Sequence, residues 1–302
     1  MKLRSILAAT DLSAPAQHAV ARAFRIAADS GAKLDLMHVI NQGALDALRQ
    51  LLGFQAAEVE TRLLNAARET LSCQAAELGP KYGVSAGTHL VSGRVLNAIL
   101  DQADARDADM LVVGARGEDF LGRLVLGTTA ERLLRRTLRP LLVNKLAVHE
   151  SYRRVLLPLD FSPWSHTALK LARAVAPAAE IVLMHAFEAP FEAKLEFAGV
   201  EESTLTMYRI AARQQAHEQL QEYASAAGLE SGSASFRVLH GDASNSILTL
   251  EQELDCDLII MGKHGQGMLE ELLLGSVTKH ILAESSCDVL VASHPPTELQ
   301  SG

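Results

Sequence analysis

The chain has 302 residues, 48% of them hydrophobic and 21% charged, with a net charge of −8. That is a globular composition long enough for about two domains of ~150 residues, with no apolar run near the ~18 residues a membrane span needs. Residues 1–148 hold 18 Lys and Arg against 15 Asp and Glu, and the remainder 10 against 21; an acidic chain without a basic stripe is not built to bind nucleic acid.

In chain order, "SILAA" (5–9) is a short apolar strand closed by Asp11, which breaks the run too early for a signal peptide. A helix follows from a Ser13 cap, with Pro15 in its first turn, and ends at Gly31. "LDLMHVI" (34–40) is the second strand. The helix "EVETRLLNAARETLSCQAAELG" places Val59, Leu63, Ala66, Ala67, Leu71, Ala75 and Leu78 along one face. "GTHLVSG", "DMLVVG" and "PLLVNK" complete five strands, apolar and bounded by Asp, Gly or Pro, as strands buried on both faces are. Further helices start after Gly93 and at Gly127-Thr128. Strands alternating with helices imply βαβ units, an α/β class with a parallel sheet between two helical layers.

The whole pattern then recurs. "SILAATDLS" lines up with "VLLPLDFS", "LDLMHVI" with "IVLMHAF", "DADMLVVGARG" with "DCDLIIMGKHG" and "RPLLVNK" with "CDVLVAS", at an offset that stays at 147 to 149. A repeat this long is a duplicated domain, with units 1–148 and 149–302 joined around "AVHESYRR". The last strands of each half, "PLLVNKLAV" and "DVLVASHP", are edges that call for covering, so the halves are expected to pair through them about a pseudo-two-fold.

Each half carries G-x-x-G, nine residues, then G-[ST]: Gly114, Gly117, Gly127 and Thr128, and Gly262, Gly265, Gly275 and Ser276. In a doubly wound sheet, ligands bind beyond the carboxyl ends of the strands where strand order reverses. Gly114 and Gly262 end strands there, and Gly117 and Gly265 let the backbone turn without a Cβ in the way. The helices opening at Thr128 and Ser276 present free N–H groups suited to phosphate. Asp11 and Asp160 end the first strand of each half, where a carboxylate can accept from a ribose hydroxyl. Neither a Walker A loop nor the compact G-x-G-x-x-G is present.

On these residues the chain resembles the universal stress protein family in its tandem, ATP-binding form, and the resemblance covers essentially its whole length. It implies two doubly wound domains, each a five-stranded parallel sheet flanked by helices, Rossmann-like and similar to the adenine nucleotide alpha hydrolases. It also implies ATP or AMP in the crevices, Mg with the nucleotide, a cytoplasmic stress role, and pairing of the domains through the last strand, with a homodimer open. By that similarity Asp11 and Asp160 contact the nucleoside and Val39 and Ala186 meet adenine through backbone. Gly114, Gly117, Gly127 and Thr128, with Gly262, Gly265, Gly275 and Ser276, line the phosphates. The family's second hydroxyl on the last helix is Thr278 in one half and Ala130 in the other. Arg116 and Arg123 stand near the N-terminal phosphate position, and Lys263, His264, Glu270 and Glu271 near the C-terminal one.

Catalytic chemistry is not written into the chain. His38 and His185 occupy equivalent strand positions and read as structural, no metal-ligand spacing occurs, and the only candidate general bases repeated in both halves, Asp11 and Asp160, already have the ribose role. Trp164 lies at the crevice mouth, either over an adenine or packed at a helix start. Cys73, Cys256 and Cys287, odd in number and without CxxC, fit a reduced cytoplasm as buried small hydrophobes. The expectation is a nucleotide-binding protein rather than a dedicated enzyme. Alternatives are a slow ATPase on the same crevice and an interaction module with one half holding a non-nucleotide ligand.

Overall fold

The computed structural model describes residues 2–115, 126–229, 232–265 and 274–293. The N-terminal half runs β1 (Ser5–Ala9), α1 (Ala14–Ser30), β2 (Lys33–Asn41), α2 (Gln42–Leu52), α3 (Ala56–Tyr82), β3 (Ala86–Gly93), α4 (Val95–Ala105), β4 (Met110–Gly114), α5 (Thr128–Arg136) and β5 (Leu141–Asn144). The C-terminal half repeats it as β6 (Arg154–Pro158), α6 (Pro163–Val175), β7 (Glu180–Phe187), α7 (Glu192–Phe197), α8 (Glu202–Ala226), β8 (Ala234–His240), α9 (Ala243–Glu253), β9 (Leu258–Gly262), α10 (Ser276–Glu284) and β10 (Asp288–Ala292).

Each half is parallel, and β5 and β10 pair antiparallel, Val143 with Val289 and Leu141 with Val291. The result is one ten-stranded sheet in the order β3-β2-β1-β4-β5-β10-β9-β6-β7-β8. The expected edge pairing is therefore present within one chain. Order reverses between β1 and β4 in one half and between β6 and β9 in the other. Two apolar clusters, one per face, each run through both halves, from Phe24 to Leu171 on one side and from Leu133 to Ile281 on the other. Among the described residues no helix is long and apolar enough to cross a membrane.

α1 forms as its sequence directs. Ser13 Oγ accepts from the Ala16 N–H, Pro15 sits in the first turn and Gly31 closes the helix at φ 72°. α3 departs from expectation: Ala67 and Leu71 are buried, but Leu63 is 47% exposed and Ala66 lies in solvent. Its 27 residues span ~40 Å at 1.5 Å per residue, longer than the ~30 Å of nine-residue β2, so its first turns project past the sheet. α2, on "QGALDALRQLL", is an element the periodicity did not announce.

The junction holds a buried polar hub. Asp288, fully buried, accepts from Arg22 Nε (3.1 Å), Tyr152 Oη (2.7 Å), Asn144 Nδ2 (2.9 Å) and the backbone N–H groups of Lys145 (2.7 Å) and Leu146 (3.0 Å). The Arg22 guanidinium stacks on the Tyr152 ring at 4.1 Å. Burial, then the Asp288 charge, pushes the Tyr152 hydroxyl well above its ordinary pKa. By the repeat offset the matching positions are Pro140, Leu171 and Leu3, all apolar, so the hub exists on one side only of the pseudo-two-fold.

Candidate functional site

Both halves build the same turn after the first strand. Asp11 Oδ1 accepts from the Ser13 N–H (3.0 Å) and hydroxyl (2.6 Å). Asp160 Oδ1 accepts from the Ser162 N–H (3.0 Å) and the Ser165 hydroxyl (2.8 Å). Between Asp and Ser lie Leu12 at φ 68° and Phe161 at φ 60°, a left-handed backbone that costs a non-glycine residue of order 1–3 kcal/mol and concentrates at functional sites. His38 Nδ1 sits 2.8 Å from the Thr10 carbonyl and His185 Nδ1 2.7 Å from the Leu159 carbonyl. A carbonyl only accepts, so each ring carries its hydrogen on Nδ1, and each pins the residue preceding the Asp. The equivalent histidines are therefore structural in both copies.

The glycine frame acquires specific reasons in the C-terminal half. A Cβ on Gly262 would lie 2.6 Å from Trp164 Cβ, and one on Gly265 would lie 3.1 Å from Asp160 Oδ2. Gly262 thus makes room for Trp164, whose ring meets that of His264 at 5.4 Å, and Gly265 makes room for the carboxylate. Trp164 packs against Gly262 and His264 at the start of α6. Gly127 and Gly275 are the N-caps of α5 and α10, with no side-chain cap. Their N–H groups close the frame on the Ala115 (2.8 Å) and Lys263 (3.1 Å) carbonyls. Thr128 and Ser276 stand in the first helical turn, exposed. The Thr278 hydroxyl donates to the Gly262 carbonyl at 3.0 Å, so its proton is held by the strand end, and Ala130 fills the equivalent place.

A cavity of about 260 Å³ opens at the C-terminal switch point, lined by Asp160, Ser165, Ala186, Gly262, Gly265, Gly275, Ser276 and Thr278 among others. Asp160, Ala186 and the C-terminal glycine frame with its hydroxyls are thereby gathered in one place. Pro158 supplies a physical reason for the opening. The Asp257 N–H donates to the Arg154 carbonyl, while the Leu159 N–H donates to Met184 on the other side; alternation then aims residues 154, 156 and 158 at β9. Proline has no N–H to give, and pairing of β6 with β9 stops at Leu156 and Ile259. In the N-terminal half Ala9 takes that position, and β1 stays paired with β4 through Ala9 and Val113.

Asp11, Val39, Gly114, Gly127 and Thr128 stand at the equivalent ends of β1, β2, β4 and α5, with Asp11 exposed and Val39 buried. Gly117, Arg116, Arg123, Glu270 and Glu271 lie outside the described residues. Ser165 and Ile247 were not anticipated; a hydroxyl five residues after Asp160, where the other half has Ala16, was the available signal for the first. Lys263, expected near phosphate, turns instead toward the other half. Among the described residues no group of three or more His, Cys, Asp and Glu could hold a metal. Cys73 is exposed, against expectation, since it lies on the solvent side of α3, while Cys256 and Cys287 are buried. Burial pushes the Cys256 thiol up to about 12 and Cys287 well above its ordinary value.

A duplicated doubly wound fold, with an aspartate, two glycines and an uncapped helix N-terminus converging on each switch point, defines a class of paired-crevice α/β proteins. Residues 2–145 and 151–293 each match the universal stress protein family, and the chain belongs to it. It is 27% identical over 301 residues to a universal stress protein of Mycolicibacterium smegmatis, covering 95% of this chain and 96% of that one. It is 29% identical over 153 residues to universal stress protein MJ0577 of Methanocaldococcus jannaschii, covering 46% of this chain and 94% of that one. A universal stress protein structure from Archaeoglobus fulgidus superposes over 98% of this chain and 100% of its own, with a TM-score of 0.65 at 19% identity, a likeness of fold.

Proposed function

We propose that the protein binds an adenine nucleotide, ATP or AMP, in the crevices at its two switch points, and that a partner reads nucleotide state from the paired halves in a cytoplasmic stress response. The cavity of about 260 Å³ with Asp160 and Gly265 at its wall and Ser276 at its end carries this reading. Asp160 Oδ1 is held by Ser162 and Ser165, and its Oδ2 faces Gly265, so the carboxylate is oriented to accept from a ribose hydroxyl. The first-turn N–H groups of α10, uncapped by any side chain, favour phosphate. A Mg2+ ion would enter on the phosphates. The function is binding rather than turnover, because the candidate bases repeated at the two switch points, Asp11 and Asp160, are committed to the nucleoside end.

Calorimetric titration of ligand-free protein with ATP tests this. Saturable binding at sub-millimolar concentration is expected, with a change in Trp164 emission because Trp164 is the single tryptophan and packs under the turn. Asp160→Ala should weaken that binding about tenfold, ~1.4 kcal/mol for a hydrogen bond to a charged group. A flat titration at millimolar nucleotide refutes the reading.

A further inference from the structure

Lys263 lies inside the C-terminal glycine turn, between Gly262 and Gly265, yet its side chain leaves that crevice. It is 3% exposed. Its ammonium donates to the Arg135 carbonyl at 3.1 Å and the Thr137 carbonyl at 3.4 Å. Those carbonyls end α5, whose other end, Gly127-Thr128, stands at the N-terminal switch point. A cation on the last carbonyls of a helix satisfies groups with no intrahelical partner and complements the helix dipole. α5 has nine residues, so ~13 Å of rigid helix separate Lys263 from the opposite crevice.

The reverse connection is built differently. The Lys145 ammonium donates to the Ser285 carbonyl (2.7 Å) and hydroxyl (2.8 Å) at the end of α10, but Lys145 follows β5 and belongs to no glycine turn. The residue matching Lys263 is Ala115, which has no side chain to reach across. One turn of the pair is thus tied to the other half's helix, a tie that Ala115, the matching residue of its twin, cannot make. The Lys263 backbone is fixed at the same time, its N–H on the Ala292 carbonyl (3.0 Å) and its carbonyl on the Gly275 N–H (3.1 Å). Any ligand that packs on Gly262, Gly265 and Gly275, which line the cavity, therefore bears directly on the anchor of Lys263.

We propose that Lys263 is a positioning residue for the opposite crevice, and that through it a nucleotide in the C-terminal crevice tightens binding in the N-terminal one. This rests on the nucleotide reading above. Ligand in the C-terminal crevice holds the turn and with it the cap on α5, so the second ligand has less ordering left to do, which is positive coupling without a large change of shape.

The test uses the full-length protein, ATP, and two signals: Trp164 emission for the C-terminal crevice and calorimetry for both. In the unaltered protein the N-terminal affinity should rise at least about fivefold once the C-terminal crevice is filled, the low end of usual coupling. In Lys263→Met that factor should fall to about one while the Trp164-reported affinity changes less than about twofold, and Lys263→Arg should restore it. A purely structural role would not move the factor selectively. Lys263→Gln, which keeps a neutral donor, serves if the Met variant does not fold, and should lower the factor part way. Coupling that survives both neutral variants, or its absence in the unaltered protein with both crevices binding, overturns the proposal alone. No ATP binding at either crevice overturns it together with the nucleotide reading.

Discussion

β1 stays paired with β4 up to Ala9 and Val113, whereas β6 parts from β9 after Leu156 and Ile259. The two crevices come from one duplicated plan, and a single residue, Pro158 in place of Ala9, separates the strands in one of them. Around that opening the C-terminal half adds Ser165 to the aspartate where the other has Ala16, Trp164 under the turn where the other has Pro15, and Thr278 where the other has Ala130. A duplication keeps the frame because the frame is backbone. It loses equivalence through side chains that alter one hydrogen bond or one contact at a time.

The largest asymmetry is the hub, and removing it should have the largest effect. Asp288→Ala strips the buried Arg22 of its counter-ion and should cost about 3–5 kcal/mol in denaturant unfolding. Replacing the symmetric Pro140 by Ala should cost far less, since Pro140 makes no ion pair; equal losses would erase the distinction. Next is Gly262→Ala, whose Cβ would stand 2.6 Å from Trp164 Cβ. Overpacking at backbone distance should cost about 1–3 kcal/mol and shift Trp164 emission. Gly114→Ala, in the half where Pro15 takes the place of Trp164, should cost less in denaturant unfolding.

Pro158→Ala sharpens the comparison of the crevices themselves. It returns an N–H facing β9, and should add about 1 kcal/mol of stability, protect that amide in hydrogen exchange and weaken ATP binding. Unchanged exchange and affinity would deny Pro158 its role. The smallest effect is chemical. The Cys256 thiol is raised to about 12 by burial and the Cys287 thiol is pushed well above its ordinary value, so at pH 8 neither offers thiolate. A thiol reagent should label Cys73 in the N-terminal half rapidly and the two C-terminal cysteines only on unfolding. Three equal rates would contradict that placement.

Much of the fold is legible in the chain because its signals are local. The β1 span, Ser13, Pro15 and Gly31 of α1, and the strand-ending Gly114 and Gly262 all follow from periodicity, caps and breakers within a few residues. The register of two copies at 147 to 149 residues reveals the duplication, and Asp11 and Asp160 stand where it places them. α3 is misread on its first turns because an apolar stripe says which face packs, not how far the partner sheet extends. Cys73 goes wrong for another reason, because it points to the solvent side of α3 between buried Leu71 and Gln74.

What the amino-acid order determines by itself is therefore the doubly wound class, the duplication and the strand ends and helix starts that meet at each switch point, since each depends on short-range stereochemistry repeated twice. What only the tertiary structure decides is where long side chains end. Lys263 sits in a phosphate-like turn by sequence and on the opposite half's helix in space, and Asp288 looks like a strand residue until Arg22 and Asn144 of the other half, and Tyr152 at the start of its own, converge on it. Those contacts span 126 to 266 residues of chain, a separation at which no local pattern carries information and packing alone selects the partner.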